Sequence, residues 1–144
     1  MFGLQNYEHP DLFGRWLGYD VYKVDRKLFK AFASLEVRDD HLSPAGRVHG
    51  GVVSAFFDFA CGAACFTTLS KFDYCSTVEL KVNYFRPIEL GDTLEARTQV
   101  MFRGKRLCVV HGLLYKRGSK KPVAMATATF NVVAGEANVK KSPK

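Results

Sequence analysis

The 144-residue sequence contains no Cys-x-x-Cys pair and no Gly-x-Ser-x-Gly turn, and its opening stretch lacks the basic segment and apolar run of an export signal. A serine-hydrolase triad built on a nucleophile elbow is therefore not expected. Four cysteines (Cys61, Cys65, Cys75, Cys108) fall inside apolar or strand-like segments, which reads as reduced thiols in a cytoplasmic protein. Cys61 and Cys65 lie one helical turn apart, yet no histidine or second cysteine pair stands at ligand spacing, so neither a metal nor a cofactor is expected. The one long apolar stretch, 52–69, carries Asp58 near its middle together with Ser54, Gly62, Thr67 and Thr68. A carboxylate at a bilayer centre costs at least ~2.5 kcal/mol, so this stretch belongs inside a protein and no membrane contact is expected. Repeats and low-complexity segments are absent as well. The expected layout is one domain over 1–134 and a flexible basic tail over 135–144.

Basic residues outnumber acidic ones by 21 to 14, a formal charge of +7. The excess sits in the tail (Lys140, Lys141, Lys144) and in one turn (Lys116, Arg117, Lys120, Lys121), without a basic helix or an interleaved aromatic ladder. That distribution argues against nucleic acid as partner. A positive surface does raise the arrival rate of small polyanions, and coenzyme A, with three phosphates, is one.

Periodicity predicts a short helical turn after His9-Pro10-Asp11 that ends at Gly18, then a hairpin of strands 20–24 and 28–37 about Asp25-Arg26-Lys27. A loop over 39–46 follows. Segment 50–69 outlasts any ordinary strand and is rich in Ala and Gly, so it reads as a helix, apolar on nearly all sides and buried. Four strands complete the chain: 77–85, 92–102, 106–115 and 123–133. In the first of them Val78, Leu80, Val82 and Tyr84 share one face, opposite Glu79, Lys81 and Asn83. One long helix among short-looped strands gives an α+β fold with a mostly antiparallel sheet wrapped around the helix.

Arg47-Val48-His49-Gly50-Gly51 runs straight into that helix, where uncovered amides and the helix dipole favour negative charge, including a developing oxyanion. The glycines also suit a plain sharp turn. Asp58 is an ionisable group in an apolar stretch, a position suited to attack on an acyl carbon or to activation of water. A structural hydrogen bond, with Lys81 or Arg86 as possible partner, is the plainer reading. Eight residues at ~1.5 Å rise separate Gly50 from Asp58 by about 12 Å, too far for both to address one carbonyl from one chain. If they cooperate, the second group comes from another copy across a two-fold axis. His111 alternates with apolar residues in a strand and suits a core or interface position, whereas His9 and His41 fall in polar loops.

RVHGGVVSAFFDFACGAA followed by STVELKVNYFRPIELGDTLEA resembles the hotdog-fold thioesterases of the phenylacetate-degradation PaaI type, over about residues 35 to 133. The resemblance implies a hotdog fold and a homodimer, or a tetramer of two dimers, that hydrolyses an acyl-CoA. It implies the Gly50 amide as oxyanion donor, Asp58 as nucleophile or general base, Thr77 as the group orienting water or Asp58, and His49 as the residue shaping the loop. Ser43 stands where the family often has Asn, six residues before the histidine. Substrate contacts are expected from Gly51 and Ser76, and nucleotide contacts from Arg86, Arg103 and Lys105. One other function fits the same pattern, a non-catalytic acyl-CoA-binding or regulatory hotdog protein, which Ser43 and the basic tail favour; a dehydratase of hydroxyacyl thioesters would want a His and an acid paired differently, and no such pair is seen.

Overall fold

The computed structural model describes residues 9–135, so the expected tail lies outside the described residues apart from Gly135. Helix α1 (Leu12–Leu17) starts where the Asp11 carboxylate accepts from the Gly14 amide, and it ends at Gly18 in the left-handed region (φ 79°). Strands β1 (Tyr19–Asp25) and β2 (Lys30–Glu36) form the first hairpin. Its turn is one residue longer than expected and closes at Phe29, which takes a positive φ of 53°. The Asp25 carboxylate holds this turn by accepting from the amides of Lys27 and Leu28, both at 2.9 Å.

Helix α2 (Gly50–Phe66) is three residues shorter than its apolar stretch. The hydroxyls of Thr67 and Thr68 donate at 2.7 Å to the carbonyls of Ala64 and Cys65, which satisfies the end of the helix where it stops. Strands β3 (Tyr74–Tyr84), β4 (Thr93–Arg103), β5 (Leu107–Lys116) and β6 (Pro122–Val133) follow. All pairings are antiparallel, in the order β1-β2-β4-β5-β6-β3, which leaves β1 and β3 as edges.

Every strand touches α2. Six strands at ~4.8 Å spacing would span about 24 Å if flat, against a helix about 10 Å wide, so the sheet has to curl around it. This is the hotdog arrangement. The buried Thr98 fastens the two layers: its hydroxyl lies 2.9 Å from the Ala60 carbonyl of α2 and 3.1 Å from the Ala31 carbonyl of β2.

The helix is not buried all round, contrary to the expectation from its composition. Val52, Val53, Phe56, Phe57, Ala60, Cys61, Ala64 and Cys65 are buried, while Ser54, Ala55, Asp58, Phe59, Gly62 and Ala63 are only half-buried. The alternation in pairs is the helical period. Mostly small residues line the outer side, so the apolar stretch has an inner face for the sheet and an outer one that the single chain covers only in part, with the Tyr19 and Phe13 rings against Phe59. Among the described residues, no helix is long and apolar enough to cross a membrane.

Strand β3 also departs from simple alternation. Its register with β6 shifts between Thr77 and Glu79, a β-bulge that takes up one extra residue. Cys75, Leu80 and Val82 are half-buried, whereas Val78 is 60% exposed. The inward set therefore runs 75, 77, 80, 82 and 84, and Val78 does not share the face of Leu80 and Val82. The physical consequence is that Thr77 is turned toward α2.

Candidate active site

His49 is the N-cap of α2, with extended backbone (φ −67°, ψ 135°), and its Nδ1 accepts from the Gly51 amide at 2.8 Å. The Val52 amide donates to the His49 carbonyl at 3.0 Å. Of the first three helical amides, that of Gly50 alone has no hydrogen-bond partner among the described residues. Position 51 is matched to its cap, because a Cβ there would sit 2.9 Å from His49 Nδ1. The loop before the helix is pinned as well: the Ser43 amide donates to Arg47 O at 2.7 Å, Val48 bridges Leu42, and the His49 amide donates to His41 O at 2.9 Å. Ser43 is half-buried in that loop, and its hydroxyl makes no hydrogen bond among the described residues.

Gly50, Ser54 and Asp58 follow at intervals of four, one stripe along the outer side of α2. Edge strand β3 lies against this stripe. The Tyr84 hydroxyl donates to the Gly50 carbonyl at 2.8 Å and lies 2.6 Å from Ser54 Oγ. Further along, the Thr77 hydroxyl donates to Asp58 Oδ1 at 2.7 Å, so Thr77 rather than Lys81 or Arg86 is the partner of this carboxylate. Asp58 is half-buried in the single chain rather than enclosed in a core. One of its oxygens is held by Thr77 and the other is left for chemistry or water.

Ser54 and Tyr84 were not singled out from sequence. The i, i+4, i+8 spacing with Gly50 and Asp58 marks Ser54; Tyr84 reads as a plain strand aromatic, and only the pairing of β3 along α2 gives its hydroxyl a partner.

Ser76 alternates to the far side of β3 from Thr77 and is exposed. The three predicted nucleotide-binding cations are not together. Arg86 follows β3 near the start of α2, where its Nη1 donates to the Pro122 carbonyl. Arg103 sits at the opposite end of α2, where its Nε donates to Thr68 Oγ1 at 2.9 Å and Nη1 to the carbonyls of Gly104 and Lys105. With Lys105, Arg106 and Asp73, it lines an open cleft of about 400 Å³.

His41 is the clearest departure from expectation, since it is fully buried rather than part of a polar loop. It ends a 3-10 turn (Asp39–His41), and its Nδ1 accepts from the Arg38 amide at 3.2 Å. The Trp16 ring meets it edge-on at 5.6 Å. Burial first, and then the Arg38 charge, push its pKa below the ordinary value, with Asp40 opposing them. His111 is half-buried on β5 between Gln99 and Thr127, and His9 is exposed.

Residues 45–123, more than half of the chain, match the family model described as Thioesterase superfamily. This chain belongs to that superfamily. A Saccharolobus solfataricus protein, named provisionally as an esterase, is 37% identical over 78% of this chain and 73% of its own length. A Caenorhabditis elegans protein with the same provisional name is 32% identical over 61% of this chain, which spans 52% of that protein's length.

Among solved structures, a provisional thioesterase from Ralstonia eutropha, described as related to phenylacetic acid degradation, has a TM-score of 0.78 at 32% identity. That alignment covers 87% of this chain and 93% of the other. A point mutant of the phenylacetic acid degradation protein PaaI from Thermus thermophilus gives 0.74 at 30%, covering 84% and 98%. A Streptococcus mutans protein solved with acetyl CoA gives 0.73 at 26%, covering 81% and 90%. Within the superfamily, the likeness thus runs to the PaaI group.

Proposed function

We propose that this superfamily member hydrolyses an acyl-CoA thioester to the free acid and coenzyme A, as a homodimer or a pair of dimers. The observation that carries the reading is the pairing on one helix of an unpartnered Gly50 amide and, two turns on, a carboxylate held by Thr77. The amide takes the thioester oxygen as it becomes an oxyanion. Asp58 either removes a proton from the water that attacks the carbonyl carbon, or attacks that carbon itself to give a mixed anhydride that water then hydrolyses to the free acid; in both cases the C–S bond breaks and the CoA thiolate leaves with a proton.

About 12 Å separates the two groups along the axis, so the Asp58 serving one Gly50 amide comes from a second chain. The small residues on the outer side of α2 allow a second helix to lie close. The cleft at Arg103, Lys105 and Arg106 supplies positive charge for the nucleotide phosphates, and Gly51 contacts the acyl end.

The test is thiol release from acyl-CoAs by the native chain and by Asp58→Asn, which keeps an acceptor for the Thr77 hydroxyl. The variant is expected to lose about 10²- to 10⁴-fold in rate with an unchanged melting temperature. Undiminished turnover by Asp58→Asn would remove the carboxylate from the mechanism. Tight acyl-CoA binding without thiol release from the native chain would favour the non-catalytic reading instead.

A further inference from the structure

Strand β3 ends at Tyr84, whose side chain reaches back to the first turn of α2. Its hydroxyl donates to the Gly50 carbonyl at 2.8 Å and lies 2.6 Å from Ser54 Oγ. A tyrosine hydroxyl has one proton and a carbonyl can only accept, so that proton is committed to Gly50. Ser54 is therefore the donor in the second bond, and the chain of hydrogen bonds runs from Ser54 through Tyr84 to Gly50. The ring packs on the same residue: a Cβ at position 50 would have three Tyr84 atoms as its nearest neighbours, at 3.5 to 3.8 Å. At 51% exposure the ring adds little to the core, which leaves this contact with the helix start as its main one.

The effect on the site follows from which peptide units are held. The unit joining Gly50 to Gly51 is fixed on both sides, its carbonyl by Tyr84 and its N–H by His49 Nδ1 at 2.8 Å. The unit before it carries the unpartnered Gly50 N–H, and its carbonyl, that of His49, accepts from the Val52 amide at 3.0 Å. Between the two units stands a glycine, whose lack of a Cβ leaves φ and ψ unusually free. Tyr84 supplies the restraint that the missing Cβ does not. It is itself mounted on paired backbone: Tyr84 faces Ala124 of β6, and the amides of Phe85 and Arg86 both donate to the Val123 carbonyl. The loop entering α2 is tied to the same segment, since the Val48 amide donates to the Ile88 carbonyl at 3.0 Å.

We infer that Tyr84 is a positioning residue for the hydrolysis: by holding the Gly50–Gly51 peptide it fixes the direction of the Gly50 N–H before the thioester oxygen arrives. The inference rests on the hydrolase reading, which makes that amide the oxyanion donor. A donor set in place beforehand stabilises the developing charge without reorganising, and a small misdirection forfeits part of that stabilisation. Ser54 stands one bond further out, and its loss leaves the bond between Tyr84 and Gly50 intact.

Tyr84→Phe deletes the hydroxyl and keeps the ring. Thiol release from octanoyl-, phenylacetyl- and palmitoyl-CoA is measured for the native chain, Tyr84→Phe, Gly50→Pro and the double variant, with a thermal melt on each. On the thioester turned over fastest, Tyr84→Phe is expected to lower kcat about 3- to 10-fold, the weight of one ordinary hydrogen bond, and to leave KM within about twofold. Gly50→Pro removes the amide and retains the carbonyl that Tyr84 holds, so in that background the hydroxyl has nothing left to position. There the further loss of kcat from Tyr84→Phe is expected to stay below about twofold, while the melting temperature shifts as much as it does in the native chain. A purely structural residue, or one touching substrate, would give the same factor in both backgrounds. Native kcat in Tyr84→Phe, a loss carried by KM, or equal losses in both backgrounds overturns the positioning role; the first two do so even if Gly50→Pro fails to fold. A slow Gly50→Pro beside any of those results leaves the oxyanion reading standing. Gly50→Pro at native rate removes the oxyanion role and this inference with it, and a native chain that releases thiol from none of the three thioesters refutes both together with the hydrolase reading.

Discussion

Replacing Gly50 by proline removes one hydrogen-bond donor and little else. Gly50 is the first helical residue, a position where proline is favoured because its missing N–H has no intrahelical partner. The residue before it must then be extended, and His49 already is, at φ −67° and ψ 135°. A Cβ at position 50 would lie 3.5 Å from the Tyr84 hydroxyl, an ordinary contact, and the Gly50 carbonyl that accepts from Tyr84 is retained. Stability should change by no more than about 1 kcal/mol, or about 4 °C in melting temperature.

If the amide holds the oxyanion, its loss removes about 10²- to 10³-fold in kcat, equivalent to about 2.7–4 kcal/mol. The same variant tests the shared site. Mixed in equal amounts with Asp58→Asn chains and allowed to exchange, half of the pairs are mixed, and each mixed pair has one site with both native groups. Activity should then recover to about a quarter of the native value from two nearly inactive preparations. The assay is thiol release, with a thermal melt on each preparation. A folded Gly50→Pro enzyme working at native rate refutes the oxyanion role. Absence of recovery on mixing, with exchange verified, refutes the two-chain site.

Two further outcomes follow from the same neighbourhood. A methyl at position 51 would meet His49 Nδ1 at 2.9 Å and displace the imidazole from its cap, whereas one at position 50 meets only ordinary contact. Gly51→Ala should therefore melt below Gly50→Ala by about 1 kcal/mol; equal melting temperatures would show that the His49 cap contributes nothing. Burial lowers the pKa of His41, so the folded chain resists protonation while the unfolded chain takes up a proton near pH 6.5. Its contribution is intact above that value and declines as pH falls from about 6.5 toward the lower folded-state pKa, with Arg38 reinforcing the decline and Asp40 opposing it. Melting temperatures between about pH 7 and pH 5 should fall more steeply for the native chain than for His41→Asn, and parallel curves would refute this role.

The start of α2 was legible because its determinants are local: His49, Gly50 and Gly51 stand at consecutive positions, and a residue able to cap with glycines after it marks a helix entry wherever the chain goes. The distance from Gly50 to Asp58 was equally legible, since rise per residue is a property of the backbone. Strand alternation carried the order of elements for the same reason.

Tertiary contacts decided the rest. Unbroken alternation from Tyr84 back along β3 sets Thr77 on the opposite face, and the bulge before Glu79, made only by pairing with β6, turns it to Asp58. His41 reads as a loop residue beside two aspartates, and it is the packing of Trp16 from a helix over twenty positions away that buries it. Local sequence fixes which backbone groups are exposed and how far apart they lie. Which side chains they meet depends on strand pairing and helix docking between residues distant in the chain.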